Sequence, residues 1–330
     1  QKLKPTIHRI RIAPWPATRH RTSWRISSAS CRSSATAPSS AATSPSSAQR
    51  SRSRTSRACC GRTSCTRPTS VVAAGDKLPV LVYFHGGGYC LGSFAQPTFH
   101  TFCLRAAAEL PAVVLSVQYR LAPEHRLPAA IEDGAAFLSW LRGQAELGAG
   151  ADPWLAESAC FARTFLSGVS AGANLSHHLI VQVATARLAV SPVRIVGYVL
   201  LSAFFTGAER TAAEADPPAD VFLPLELSDQ LWHMSLPVGA SRDHPVANPF
   251  GPESPSLAPV GLPPALVVAP LGDVLRDRSL GYAARLKDMG KDVELVQFEG
   301  QQHGFSVLQP FGEAADELMR VLRRFVYPAR

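Results

Sequence analysis

The chain has 330 residues, of which 46% are hydrophobic and 18% charged, and its net charge is +8. This length is enough for one large hydrophobic core. Residues 1–70 carry 12 Arg, 2 Lys and no acidic residue (+14), whereas the rest carries 19 basic and 25 acidic residues (−6). Because the body of the chain is mildly acidic, its basic total indicates neither a nucleic-acid partner nor an anionic surface. The longest strongly apolar run, 195–205, is too short to span a bilayer.

The first segment, residues 1–70, is rich in Arg, Ser and Ala and is predicted to lie outside the folded core. Such a composition has too little apolar surface to offset the entropy cost of ordering. Three interpretations are open: a chloroplast transit peptide, a disordered arm, or an out-of-frame translation, which we favour. The chain begins at Gln1, which is typical of a fragment. If in-frame strands are missing here, a sheet edge is expected to be unpaired.

From residue 71 onward, strand-like and helix-like patterns alternate as in a mostly parallel α/β sheet. Strands are predicted over 80–84, 112–119, 162–167, 193–205, 264–269 and 292–298, and helices over 128–141 and 173–188. The stretch 206–263 breaks this alternation and is rich in proline. Since structureless loops of that length are uncommon in compact domains, it is predicted to be a cap inserted over the site.

A serine flanked by small residues stands between the third strand and the helix that follows it. Residues Gly168, Val169, Ser170, Ala171 and Gly172 have the G-x-S-x-G pattern of a nucleophile elbow. The two glycines allow the strand to turn directly into the helix without a side-chain clash. A serine hydroxyl is a weak nucleophile at neutral pH, so this pattern predicts a base nearby.

A glycine-rich loop follows the first strand. The N–H groups of Gly87 and Gly88 are expected to hold an oxyanion together with that of Ala171, and losing one such donor costs ~2.7–4 kcal/mol. His85 and Gly86 are expected to support this loop, His85 as an anchor and not as a base. A phosphate loop is excluded because no Gly-Lys-Ser/Thr follows.

An acid and a histidine follow two later strands. Asp273 and His303 both leave the carboxyl ends of predicted strands, where open α/β sheets build their sites. The rival acid, Asp277, opens a predicted helix, where a carboxylate stabilises the helix N-terminus. His303 is the only histidine after Asp273 in the sequence. We therefore predict a Ser170–His303–Asp273 triad in the chain order Ser, Asp, His.

These stretches resemble the hormone-sensitive-lipase-like α/β-hydrolases and, within them, the plant carboxylesterases. The matching segments are 82–89, 119–125, 168–174, 272–277 and 303–305. The resemblance implies an α/β-hydrolase fold, with a mostly parallel sheet flanked by helices, and makes 71–330 the catalytic domain with its cap at about 206–263. Read one nucleotide out of phase with permitted codons, the segment from Arg21 to about Pro45 resembles the family's N-terminal segment.

Two residues refine the resemblance. Most members have Asp before the serine, and Val169 is similar instead to the carboxylesterase-15 type, which includes strigolactone-degrading esterases. Position 169 is expected to face away from the reacting carbonyl, so that activity survives. Gibberellin receptors share the fold and motifs but lack the triad histidine, so His303 favours an esterase over the alternative, a non-hydrolytic hormone-binding receptor.

The predicted reaction is hydrolysis of a small-molecule ester, which requires no cofactor and no metal. Cys59, Cys60 and Cys65 lack a histidine at zinc-finger spacing. The body cysteines are expected to be reduced thiols in a cytoplasmic monomer or homodimer, or in the chloroplast if the head is a transit peptide. Candidates for lining the pocket are Tyr89, Leu91, Phe205 and Trp232, although such residues more often pack in a core or a cap.

Overall fold

A parallel β-sheet forms the centre of the protein. The computed structural model describes residues 27–28, 61–62, 77–217 and 220–328. The six main strands are β1 (Leu78–Phe84), β2 (Val113–Val117), β3 (Ala159–Val169), β4 (Ile195–Leu201), β5 (Ala265–Pro270) and β6 (Val293–Phe298). They are mutually parallel and lie in the order β2-β1-β3-β4-β5-β6.

Two dipeptide strands continue the sheet beyond β2. Ser27–Ser28 pairs antiparallel with β2, through Ser27 and Ser116, and Gly61–Arg62 pairs parallel with Ser27–Ser28. The remainder of the 1–70 segment, and with it the out-of-frame interpretation, lies outside the described residues.

Helices connect the strands and cover both faces of the sheet. They are α1 (Pro97–Glu109), α2 (Ala129–Leu147), α3 (Pro153–Ser158), α4 (Ala171–Ala184), α5 (Ala212–Ala215), α6 (Leu225–Ser235), α7 (Arg276–Asp288), α8 (Phe305–Leu308) and α9 (Glu313–Val326), with a 3₁₀ turn at Gly148–Gly150. Among the helices of the described residues, none is both long and apolar enough to cross a bilayer.

Alternation along the strands divides the core into two layers. On β1, Val80 and Val82 point into one buried cluster, and Leu81 and Tyr83 into the other. Helices α2, α4 and α7 supply apolar side chains to the first cluster, and α1 and α9 to the second. The predicted α/β class is confirmed, because a parallel sheet needs helices on both faces to bury its two apolar surfaces.

The six predicted strands are all present, but the fourth is shorter than expected. The sequence pattern predicts a strand over 193–205, whereas β4 ends at Leu201. Ser202 turns the chain with φ 47°, so Phe204 and Phe205 are buried beyond the carboxyl edge of the sheet and not within it. An apolar run does not reveal where a strand stops, since residues packed at its end are equally apolar. Helices α5 and α6 lie in the segment between β4 and β5.

Candidate active site

The sharp turn between β3 and α4 presents Ser170. Its backbone has φ 56° and ψ −118°, a strained conformation for a residue other than glycine. A Cβ atom at Gly168 would lie 2.2 Å from the carbonyl carbon of Gly172, and one at Gly172 would lie 2.0 Å from the carbonyl oxygen of Phe84. Both positions therefore require glycine for this turn to form.

Three side chains that are far apart in the sequence meet at this turn. His303 Nδ1 lies 2.7 Å from Asp273 Oδ2, and His303 Nε2 lies 2.9 Å from Ser170 Oγ. Because a carboxylate only accepts hydrogen bonds, Nδ1 carries the ring proton, and Nε2 accepts from the serine hydroxyl. All three residues are buried, and the second oxygen of Asp273 accepts the N–H of Leu275 at 3.0 Å. The arrangement can transfer a proton away from Ser170 Oγ.

The rival acid, Asp277, lies elsewhere. It is in the first turn of α7, and its Oδ2 accepts the N–H of Ala213, at the start of α5, at 2.8 Å. Asp277 thus lies in the first turn of its own helix, as predicted, but its hydrogen bond is to the N-terminus of the neighbouring helix α5.

The glycine loop after β1 packs against the serine turn, since a Cβ atom at Gly86 would lie 3.2 Å from Ser170 Cβ. Gly87 and Gly88 have φ 116° and 58°, and a Cβ atom at Gly87 would lie 2.1 Å from the carbonyl oxygen of Leu91. In the described part of the chain, no protein acceptor takes the N–H groups of Gly87, Gly88 or Ala171. These three N–H groups are therefore available to donate hydrogen bonds to a ligand.

His85 holds the glycine loop from behind. Its Nδ1 donates to the carbonyl of Gly86 at 2.7 Å, its ring stacks on Tyr119 at 4.3 Å, and the Tyr119 hydroxyl donates to the His85 carbonyl at 2.7 Å. Burial lowers the pKa of His85 to about 4, although the bond to Gly86 opposes this shift. Nε2 is buried without a hydrogen-bond partner among the described residues, so a proton there would be unpaired. His85 is thus a neutral anchor at neutral pH.

A cavity of about 260 Å³ opens beside Ser170 and His303. Among the described residues, no Asp, Glu, Lys or Arg lines it, and its larger apolar wall residues are Leu91, Phe99, Phe204, Phe222, Leu223, Leu227, Leu231, Val307 and Leu308. This volume is slightly below the range for small-molecule pockets, roughly 300–1,000 Å³. The cavity therefore suits a small, uncharged ligand.

Of the four residues predicted to line this cavity, only Leu91 does so. The other three are packing residues, which was the alternative for each. Trp232 is fully buried and stacks on Phe204 at 4.5 Å between ring centres, and Phe205 stacks on Tyr282 at 5.0 Å. Tyr89 is also buried, away from the cavity. The preceding residues Gly88, Phe204 and Leu231 line the cavity instead, because adjacent residues on a helix or an extended segment point in different directions.

Sequence reasoning also missed the contribution of the segment before and within α6. Leu223, Leu227 and Leu231 all line the cavity, and their four-residue spacing was the available signal. Val169, which was expected to face away from the reaction, is buried and belongs to the cavity wall.

This geometry agrees with the comparisons with known proteins. The family model of the alpha/beta hydrolase fold matches residues 81–307, more than half of the chain. The chain belongs to the α/β-hydrolase family. Probable carboxylesterase 8 of Arabidopsis thaliana is 39% identical over 257 residues, covering 76% of this chain and 77% of the relative. The 3-O-acetylpapaveroxine carboxylesterase CXE2 of Papaver somniferum is 37% identical, with 72% and 77% covered.

This α/β-hydrolase is also similar to a hormone receptor and to a thermophilic carboxylesterase. Gibberellin receptor GID1 of Oryza sativa subsp. japonica is 35% identical over 81% of this chain and 74% of the receptor. The solved structure of EstE1, a thermophilic carboxylesterase from a metagenomic library, superposes with a TM-score of 0.64 at 31% identity, covering 77% of this chain and 81% of that one. The chain is a member of the plant carboxylesterase group, a class of carboxylic ester hydrolases.

Proposed function

We propose that this protein is a serine carboxylesterase in which Ser170 is the nucleophile, His303 the general base and Asp273 the residue that orients the base. The observation that carries this proposal is the continuous hydrogen-bonded chain from Asp273 through His303 to Ser170, with separations of 2.7 and 2.9 Å. Such a chain activates a serine that would otherwise be a weak nucleophile.

The reaction has two acyl-transfer steps. His303 removes the proton of Ser170, whose oxygen attacks the ester carbonyl, while the N–H groups of Gly87, Gly88 and Ala171 stabilise the oxyanion. The protonated His303 then gives its proton to the departing alcohol, which leaves an acyl-enzyme. Water, deprotonated by the same imidazole, attacks the acyl group and releases the carboxylic acid and the free serine.

The cavity supports small or medium uncharged esters as substrates. Burying an ionised group in a wall without a charged partner is costly, and the described walls offer none. The segment 206–263 acts as a cap in this proposal, since its residues Leu223, Leu227 and Leu231 line the cavity above Ser170.

The test is hydrolysis of p-nitrophenyl acetate and butyrate by the purified chain beside Ser170→Ala and His303→Ala. The proposal predicts turnover in the wild type and a loss of roughly 10³-fold or more in both variants. Undiminished turnover in a folded Ser170→Ala protein would show that the activity arises elsewhere.

A hormone-binding receptor on the same scaffold is the second candidate, favoured by the 35% identity to a gibberellin receptor. A fluorophosphonate separates the two functions, because it labels an activated serine covalently, whereas it leaves Ser170 of a pure binder unmodified.

Val169 motivates a narrower proposal for the substrate, a strigolactone. Turnover of p-nitrophenyl esters with none of a strigolactone excludes that narrower proposal alone.

A further inference from the structure

The fully buried side-chain amide of Asn174 hydrogen-bonds to three segments near Ser170, at Tyr89, Phe204 and Val246. Asn174 lies four residues after Ser170 on α4, and none of its surface is exposed. Its Oδ1 accepts the Tyr89 hydroxyl at 2.6 Å, and its Nδ2 donates to the carbonyls of Phe204 at 3.1 Å and Val246 at 2.9 Å. Because the carboxamide has two N–H donors, both donors and the acceptor oxygen are engaged, and the side chain has one orientation.

Tyr89 is the residue that joins this amide to the oxyanion loop. It directly follows Gly88, and its backbone has φ 64°. A residue other than glycine keeps this conformation only where its surroundings hold it. Two bonds do so here: the Tyr89 carbonyl accepts the N–H of Ala122 at 2.8 Å, and its hydroxyl is bound to Asn174. Burial raises the pKa of Tyr89 well above its usual value, so the hydroxyl keeps the proton that it donates.

Asn174 and Phe204 also hydrogen-bond to the backbone of Ser170. The carbonyl of Ser170 accepts the backbone N–H of Asn174 at 3.2 Å and that of Phe204 at 3.1 Å. Asn174 therefore touches the turn that carries the nucleophile and, through Tyr89, the loop that carries two of the oxyanion donors. Oxyanion donors act only at hydrogen-bond distance from the developing charge, so the separation of these two segments matters for the rate.

We propose that Asn174 and Tyr89 are positioning residues, and that the bond between them sets the distance from the Gly87 and Gly88 amides to the oxygen of Ser170. This inference rests on the proposed esterase function. Neither side chain belongs to the cavity wall, so loss of the bond displaces the oxyanion donors without removing contacts to the substrate. The expected signature is a lower kcat with an unchanged KM.

The first experiment compares Tyr89→Phe with Tyr83→Phe. Both tyrosines are buried, but the Tyr83 hydroxyl has no hydrogen-bond partner in the described part of the chain, which makes it a matched control. With p-nitrophenyl butyrate, we expect Tyr89→Phe to lower kcat by about tenfold or more and to change KM less than twofold. Tyr83→Phe should behave like the wild type. Wild-type kcat in a folded Tyr89→Phe protein overturns the proposal.

A second measurement separates positioning from general loss of structure. A trifluoromethyl ketone forms a tetrahedral adduct on the serine, so its inhibition constant should rise in Tyr89→Phe by the same factor as kcat falls. In a double-mutant cycle, adding Tyr89→Phe to Asn174→Ala should lower kcat no further than Asn174→Ala alone, and additive losses contradict the coupling. If Asn174→Ala does not fold, Tyr89→Phe decides alone.

The controls distinguish the two proposals. If Ser170→Ala retains wild-type turnover, the esterase function itself fails. If Ser170→Ala is inactive while Tyr89→Phe has wild-type kcat, only the positioning role of the Tyr89–Asn174 bond fails.

Discussion

The pKa of His85 is lowered from 6.5 to about 4 because its ring is buried, and this shift makes the stability of the protein depend on pH. The unfolded chain takes up a proton at this residue below pH 6.5, whereas the native protein does so only near pH 4. The free energy of unfolding is therefore highest above pH 6.5, decreases as the pH falls below that value, and has lost the His85 contribution at about pH 4. At 1.36 kcal/mol per pKa unit, the contribution is about 3 kcal/mol.

The substitution His85→Asn tests this reasoning. An amide keeps a donor for the Gly86 carbonyl, which the imidazole now binds at 2.7 Å, but it does not titrate. Urea denaturation from pH 7.5 to pH 4 should show that the variant loses about 3 kcal/mol less than the wild type over this range. His177 and His178 are also buried, which lowers their pKa, but they are the same in both proteins and cancel in the difference.

Measuring kcat distinguishes an anchoring role of His85 from a role as general base. The kcat of His85→Asn should fall by less than the 10²–10⁴-fold typical of removing a general base. Parallel stability curves for His85→Asn and the wild type between pH 7.5 and pH 4 would refute the reasoning.

Three further substitutions have outcomes that the structure sets. Gly88→Ala should lower kcat, because left-handed backbone costs an alanine ~1–2 kcal/mol and the new methyl group would lie 2.6 Å from Leu231 Cδ1. Adding Leu231→Ala should recover part of the lost kcat, and no recovery would contradict the steric explanation. Asp273→Asn should reduce kcat on p-nitrophenyl butyrate about 10⁴-fold with little change in KM, since the imidazole loses the partner that sets its tautomer; a loss under tenfold would argue against this role. Arg278→Met removes the guanidinium that lies 2.7 Å from the fully buried Glu214 carboxylate. It should lower the free energy of unfolding by about 3–5 kcal/mol, and an unchanged midpoint in urea denaturation would disprove this.

The nucleophile elbow and the glycine loop could be predicted because each is a contiguous stretch with a strict backbone requirement. Gly168 and Gly172 lie two residues before and two residues after Ser170, and only glycine fits their contacts, so the local sequence specifies the turn. Asp273 and His303 could be predicted because the carboxyl ends of parallel strands lie at the same edge of a sheet. That rule places side chains at an edge, and the two distances that join them to Ser170 came from the structure.

The cavity wall and the Tyr89–Asn174 bond were decided only by the tertiary structure. Trp232 and Leu231 are adjacent and both apolar, yet one packs against Phe204 and the other faces the cavity. Which of them lines the site depends on how α6 is rotated against the sheet, and no local pattern in the chain specifies that rotation. The sequence by itself determined the fold class and predicted the residues of the proposed triad, because both follow from strand alternation and from the edge at which parallel strands end. The tertiary structure decided which side chains surround those groups, because that depends on how distant segments pack against one another.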